Sequence, residues 1–248
     1  MPNLVVIAGP NGAGKTTTAL ALLREERRVD EFVNADIIAA DEGLDDVAAG
    51  RKMLRRIDEL VRLRKSVAFE TTAASLGLRS KIHGIQESGY LYHLVYIWIP
   101  SADMAVQRVA ARVRSGGHDI PEGVIRRRYG RSLDNFFNDY MPMADAWIMI
   151  DNSNEEDTRA IAERSAGGSL RIYNGDLWTD LQKRHMKPTD TAREPRHEAQ
   201  NGFTNQEILA AARHGARAAI RRHKALGQSI VVWRDGRVVV LEPEEIAV

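Results

Sequence analysis

The 248-residue chain contains no cysteine. That excludes disulfides, thiolate catalysis and cysteine-ligated metals, and it fits a reducing compartment such as the cytoplasm. Long apolar runs are also missing. Stretches such as Leu4 to Ala8 and Leu94 to Ile99 fall far short of the ~20 residues that span a bilayer, so no membrane role is expected. Charge of one sign is not in excess: the formal net charge is +1, which gives no bulk attraction to nucleic acid or lipid. A signal peptide is not expected, because the first residues run directly into an apolar strand and a glycine loop.

What remains is ordinary globular material, 44% hydrophobic and 28% charged, long enough for one α/β domain and a smaller piece. Short apolar runs alternate with longer helical patterns. This predicts a parallel sheet with helices on both faces. Expected strands are Leu4 to Ala8, Glu31 to Asn34, Val67 to Phe69, Leu91 to Ile99, Ala146 to Ile150 and a weaker Leu170 to Tyr173. Expected helices are Lys15 to Glu26, Asp45 to Arg64, Ala102 to Arg114, Glu122 to Phe137, Glu155 to Arg164 and Asp176 to His185. A main domain over 1–185 would then end at a polar linker over 186–202. Beyond it, Thr204 reads as the N-cap of a helix stopped by Gly227, and Asp235-Gly236 as the tight turn of a hairpin. This tail, 203–248, is too small to hold a core alone.

Gly9-Pro10-Asn11-Gly12-Ala13-Gly14-Lys15-Thr16 fits the full phosphate-loop pattern G-x-x-x-x-G-K-[ST], after an apolar strand and at the start of a helix. Its glycines let successive N–H groups turn around phosphate oxygens, and the helix terminus adds its positive end. Lys15 is expected at the β- and γ-phosphates and the Thr16 hydroxyl on Mg²⁺, with Thr17 also at the nucleotide. The expected cofactors are therefore ATP and Mg²⁺.

Ligands of an open parallel sheet bind beyond the carboxyl ends of its strands. Asp36 and Glu70 stand there. A kinase acting on a hydroxyl needs a carboxylate to take the proton and polar groups to hold the acceptor. Asp36 is the candidate base, and Glu70 and Thr72 the candidate acceptor holders. The competing duty for Asp36 is a helix N-cap. Arg112, Arg114, Arg126, Arg127, Arg128 and Arg131 crowd a glycine-rich joint, Ser115 to Pro121, as a lid over a triphosphate would require. Arg112, Arg128 and then Arg127 are the candidates for the inward, catalytic positions. Asn152, after the fifth strand, is a candidate nucleotide contact. The tail helix carries Arg213, Arg217 and Arg221 on one face. No aromatic residues interleave with them, which argues against nucleic acid.

The loop is also similar to that of transporter-type ABC ATPases, but the strand ending Ile150-Asp151-Asn152 lacks the glutamate they need and lies too far downstream. Taken together, Gly9 to Thr17, Asn34-Ala35-Asp36, Phe69-Glu70-Thr71-Thr72, Arg112 to Arg128 and Asp151-Asn152-Ser153 resemble the zeta toxin family of kinases, in its compact branch described as predicted ABC-type ATPases. The resemblance spans about residues 1 to 155. It implies a P-loop kinase fold and phosphorylation of UDP-N-acetylglucosamine, with Asp36 as base and Glu70 and Thr72 at the substrate. The chain departs from the large members in lacking room for the insertions that wrap the nucleotide sugar. The family is commonly restrained by a small helical antitoxin; here a partner antitoxin or the chain's own tail is expected in that part. The alternative is a nucleotide-dependent switch or ATPase of a toxin–antitoxin-like system without a dedicated acceptor, which has no use for an acceptor base.

Overall fold

The computed structural model describes residues 1–25, 29–154, 157–187 and 203–247. Most of the expected linker, 188–202, lies outside the described residues. Five parallel strands form the centre: β1 (Asn3–Ala8), β2 (Glu31–Val33), β3 (Val67–Thr71), β4 (Leu91–Trp98) and β5 (Ala146–Asp151). Two antiparallel strands, β6 (Arg159–Arg164) and β7 (Leu170–Ile172), extend it. The seven-stranded order is β2-β3-β1-β4-β5-β6-β7. The central strands are buried on both faces, so they read as continuous apolar runs.

One face is covered by α3 (Asp46–Arg62), α4 (Arg79–Glu87), α6 (Glu122–Asn135) and α8 (Gly175–His185), which share a cluster including Met53, Ile57, Ile82, Leu133 and Trp178. The other is covered by α1 (Lys15–Glu25), α5 (Ala102–Arg114) and the tail helix α9 (Asn205–Ala225). A short helix, α2 (Ala35–Glu42), follows β2, and a π-helical turn, Phe136–Tyr140, leads from α6 to the brief α7 (Met141–Met143). Helices α2 and α4 are absent from the sequence-based expectation. Helix α2 has an Asn34 cap and a Gly43 stop but buries no residue, so it shows no apolar stripe; α4 buries Ile82 and Ile85 but lacks a side-chain N-cap. No helix among the described residues is long and apolar enough to cross a membrane.

The expected helix over Glu155 to Arg164 is overturned. Residues 155–156 lie outside the described residues, and Arg159–Arg164 is the strand β6, antiparallel to β5. Its composition, Arg-Ala-Ile-Ala-Glu-Arg, favours a helix, but β5 offers an unpaired row of backbone donors and acceptors. Pairing there buries Ala160, Ile161 and Ala162, and tertiary context overrides propensity.

The tail follows the expected pattern. Thr204 and Glu207 form a reciprocal capping box. Strands β8 (Ile230–Arg234) and β9 (Arg237–Leu241) meet at Asp235 and Gly236, whose φ values are 51° and 75°. Helix α9 lies against α1 at Gly215, where a Cβ would come 2.8 Å from the Thr17 carbonyl oxygen. Ile208, Ala211, Ala212 and Val231 join the core of that face.

His93 sits in the middle of β4, with neither ring nitrogen hydrogen-bonded among the described residues and its ring edge-on to Phe203 at 5.9 Å. Burial depresses its pKa to about 4, with Asp145 opposing weakly. The unfolded chain binds this proton near pH 6.5 and the folded chain does not. Stability therefore falls as pH drops from about 6.5 to 4, by about 3 kcal/mol. Denaturant melts of the wild type and His93→Phe across this range check the assignment: the variant is expected to lose this component of acid sensitivity, and identical pH slopes would refute it.

Candidate active site

The loop from β1 to α1 requires positive φ at several positions. Gly14 adopts +92°, and a Cβ there would come 2.6 Å from the Asn152 side-chain nitrogen. Turning amides inward leaves carbonyls facing outward, and four of them have donors. Lys15 Nζ donates to Pro10 O at 3.0 Å and Asn152 Nδ2 to Ala13 O at 2.8 Å. Arg108 Nη1 reaches Gly12 O at 3.5 Å, and Thr18 N donates to Gly14 O at 3.1 Å.

The loop floors a cavity of about 770 Å³. Asn11, Gly12, Gly14, Lys15, Thr16 and Thr17 line it from below; Gly9, Pro10 and Ala13 lie behind that wall. Asp36, Glu70 and Thr72 stand along one side. Arg112, Arg128 and the joint from Ser115 to Pro121 stand over it. The structure thus brings together Lys15, Thr16, Asp36, Glu70, Thr72, Arg112 and Arg128.

Asp36 is not the cap of α2. Asn34 is: its side-chain oxygen accepts from Asp36 N at 2.7 Å and Ile37 N at 3.3 Å. The Asp36 carboxylate is left to the cavity. Glu70, near the end of β3, accepts the Thr16 hydroxyl proton at 2.8 Å, so it stands beside the phosphate loop as well as the acceptor side. Burial pushes the Lys15 ammonium pKa below its usual value, while Glu70 and then Asp36 pull it back up and Arg112 and Arg128 oppose them. Burial is the largest of these effects, and the two carboxylates and two guanidiniums act on the lysine in opposite senses.

Arg127 is exposed and does not line the cavity. Arg126 is bound to Glu122 and Asp103 outside it. Asn152, expected at the nucleotide, lies buried beneath the loop, engaged with Ala13 and with Thr158. Gly116 and Gly117 close α5: Gly116 N donates to Val113 O and Gly117 N to Arg112 O, a capped end rather than a loose hinge. Arg112 Nη2 donates to His118 O at 2.8 Å, which ties the joint to its helix.

Two features escaped the sequence. Arg108, 8% exposed, donates to Asn152 O and Val231 O, each at 2.9 Å, as well as reaching Gly12 O. A charged residue within the apolar stripe Met104, Ala105, Val109 of α5 was the available signal. The tail is the other: Arg222, His223, Leu226 and Gln228 to Val231 also line the cavity. No local pattern marks them.

A glycine loop between a buried parallel strand and a helix, with acids beyond the neighbouring strands and arginines lining the same cavity, defines a nucleotide-binding P-loop protein of kinase-like fold. The sequence model of the AAA domain family matches residues 4–131, just over half of the 248, and the chain belongs to that family. An uncharacterized protein of Haemophilus influenzae is 29% identical over 130 residues, covering 50% of this chain and 91% of its own. Among solved structures, the AvrRxo1-ORF1:-ORF2 complex with ATP aligns at a TM-score of 0.56 and 15% identity, over 88% of this chain and 76% of that one. The PezAT toxin–antitoxin system of Streptococcus pneumoniae aligns at 0.51 and 14%, over 88% and 87%. At these identities the likeness is one of fold.

Asn152→Ala leaves the Ala13 carbonyl without its buried donor. A loss of about 1–3 kcal/mol in unfolding free energy is expected, together with weaker nucleotide binding. Equilibrium denaturation and nucleotide titration of one preparation check both, and unchanged values in each would remove Asn152 as the brace of the loop.

Proposed function

We propose that the chain is an ATP-dependent small-molecule kinase of zeta toxin type that moves the γ-phosphate to a hydroxyl. The observation that carries this is the shared cavity: Asp36, released from capping by Asn34, faces the same space as Lys15, Thr16 and the arginine lid.

The acceptor hydroxyl gives its proton to the Asp36 carboxylate as its oxygen bonds to the γ-phosphorus. The bond from that phosphorus to the β,γ-bridging oxygen breaks, and ADP leaves with the electron pair. Lys15 and the loop amides hold the β- and γ-phosphates; Arg112 and Arg128 meet the charge spread over the γ-oxygens. Thr72 and Glu70 orient the acceptor. The Thr16 hydroxyl, with Glu70 and Asp36 nearby, offers oxygen donors that suit Mg²⁺. Among the described residues no group of three acidic or histidine side chains cages a metal by itself, so the remaining ligands would be phosphate and water. When bound, the ion neutralises charge between the β- and γ-phosphates.

The leading acceptor is UDP-N-acetylglucosamine or another nucleotide sugar, and an antitoxin protein is the proposed partner. Both draw on the motif resemblance to zeta toxins, and the fold shared with PezAT is in keeping with them.

Asp36→Asn is expected to lower phosphoryl transfer by ~10²–10⁴-fold while ATP affinity stays near wild type, because asparagine keeps the size but cannot take the proton. Mass spectrometry of a metabolite extract incubated with ATP and wild-type protein finds the acceptor; a rate assay on that acceptor and an ATP titration then test the variant. Retained transfer would rule out Asp36 as the base. Lys15→Ala is expected to lose both ATP affinity and transfer. Normal binding and turnover in that variant would refute the phosphate-loop assignment.

A further inference from the structure

We infer that the C-terminal segment is the nucleoside wall of the active site, with Gln228 to Val231 and the end of α9 contacting the base and ribose of bound nucleotide. This deepens the kinase reading and rests on it.

The sheet order sets the direction of the nucleotide. Strand β1 and its phosphate loop lie between β3, which carries Glu70, and β4. Asp36 and Glu70 are on the β2–β3 side. The γ-phosphate must meet the acceptor there, so the α-phosphate and nucleoside extend the opposite way, over β4 and β5. The tail lies by the end of β5, where Trp233 N reaches Ser153 O, and Arg222, His223, Leu226 and Gln228 to Val231 line the cavity.

The tail is fastened at that place by the residues that brace the loop. Arg108 Nε donates to Val231 O at 2.9 Å while its Nη1 holds Asn152 O and Gly12 O. Trp233 N donates to Ser153 O at 2.9 Å. The end of α9 delivers Gln228 by a capped turn: Gly227, at φ +62°, donates to Lys224 O, and Gln228 N donates to His223 O. Gln228 Oε1 then lies 3.0 Å from His223 Nδ1.

The chemistry of this wall suits a nucleoside. It offers an amide, a hydroxyl and backbone groups at Gln228 and Ser229, and a guanidinium at Arg222. Leu226 lines the cavity with 60% of its surface uncovered, an apolar face for a flat ring.

Titration of the full chain with ATP and with inorganic tripolyphosphate separates the nucleoside wall from the phosphate loop. Gln228→Ala and Ser229→Trp, the second filling the cavity edge, are each expected to weaken ATP binding by about tenfold and to leave tripolyphosphate binding unchanged. Retained tripolyphosphate binding also shows that the variant is folded. Unchanged or tighter ATP binding in Gln228→Ala overturns the inference and makes the tail a bystander or an occluder. Loss of both ligands together overturns it too, since the tail would then be scaffold. Wild-type protein that binds tripolyphosphate as tightly as ATP overturns this inference alone. Wild-type protein that binds neither overturns the kinase reading as well.

Discussion

A loop that turns its amides toward a phosphate must turn its carbonyls the other way, into the protein. Those carbonyls are buried where water cannot reach them, and each one left without a donor costs free energy comparable to a lost hydrogen bond. In this chain four donors come from three directions: Lys15 and Thr18 from the following helix, Asn152 from the end of β5, and Arg108 from α5. The site is thus held in shape from behind. The elements that supply those donors cannot shift without distorting the loop.

Arg108 extends this constraint to the tail. A buried guanidinium needs its donors engaged, and here the acceptors are backbone carbonyls of the loop, the β5 end and β8. Helix α9 meets α1 at Gly215, so the helix that carries Lys15 and Thr16 at its start has the tail along its flank. A segment that reads in sequence as an appended helix and hairpin is joined to the phosphate-loop face by hydrogen bonds and by shared core. Its own small cluster, Ile220, Ile230, Val232, Leu241 and Ile246, sits between helix and hairpin.

Electrostatics divides the cavity. Carboxylates at 36 and 70 stand on one side of Lys15, and guanidiniums at 112 and 128 on another. The carboxylates raise and the guanidiniums lower the proton affinity of the lysine they share. The capping of α2 by Asn34 makes this division workable, because it spares Asp36 from a structural duty.

Local patterns in the chain were enough for much of this. The phosphate loop is a contiguous motif whose backbone angles follow from its own glycines, and the central strands are short apolar runs whose burial follows from their composition. The capping box at Thr204 and the turn at Asp235-Gly236 are likewise local. Asp36 and Glu70 could be named because both directly follow or end a strand, and strand ends converge in a parallel sheet. Tertiary structure decided the rest. Whether 159–164 is helix or strand depended on the open edge of β5, which the segment cannot encode. Which arginines face inward depended on helix rotation: Arg112 and Arg128 line the cavity while Arg127 does not. The contacts of Asn152 and Arg108 reach across 139 and 123 positions of chain, too far for a local pattern to name the partner.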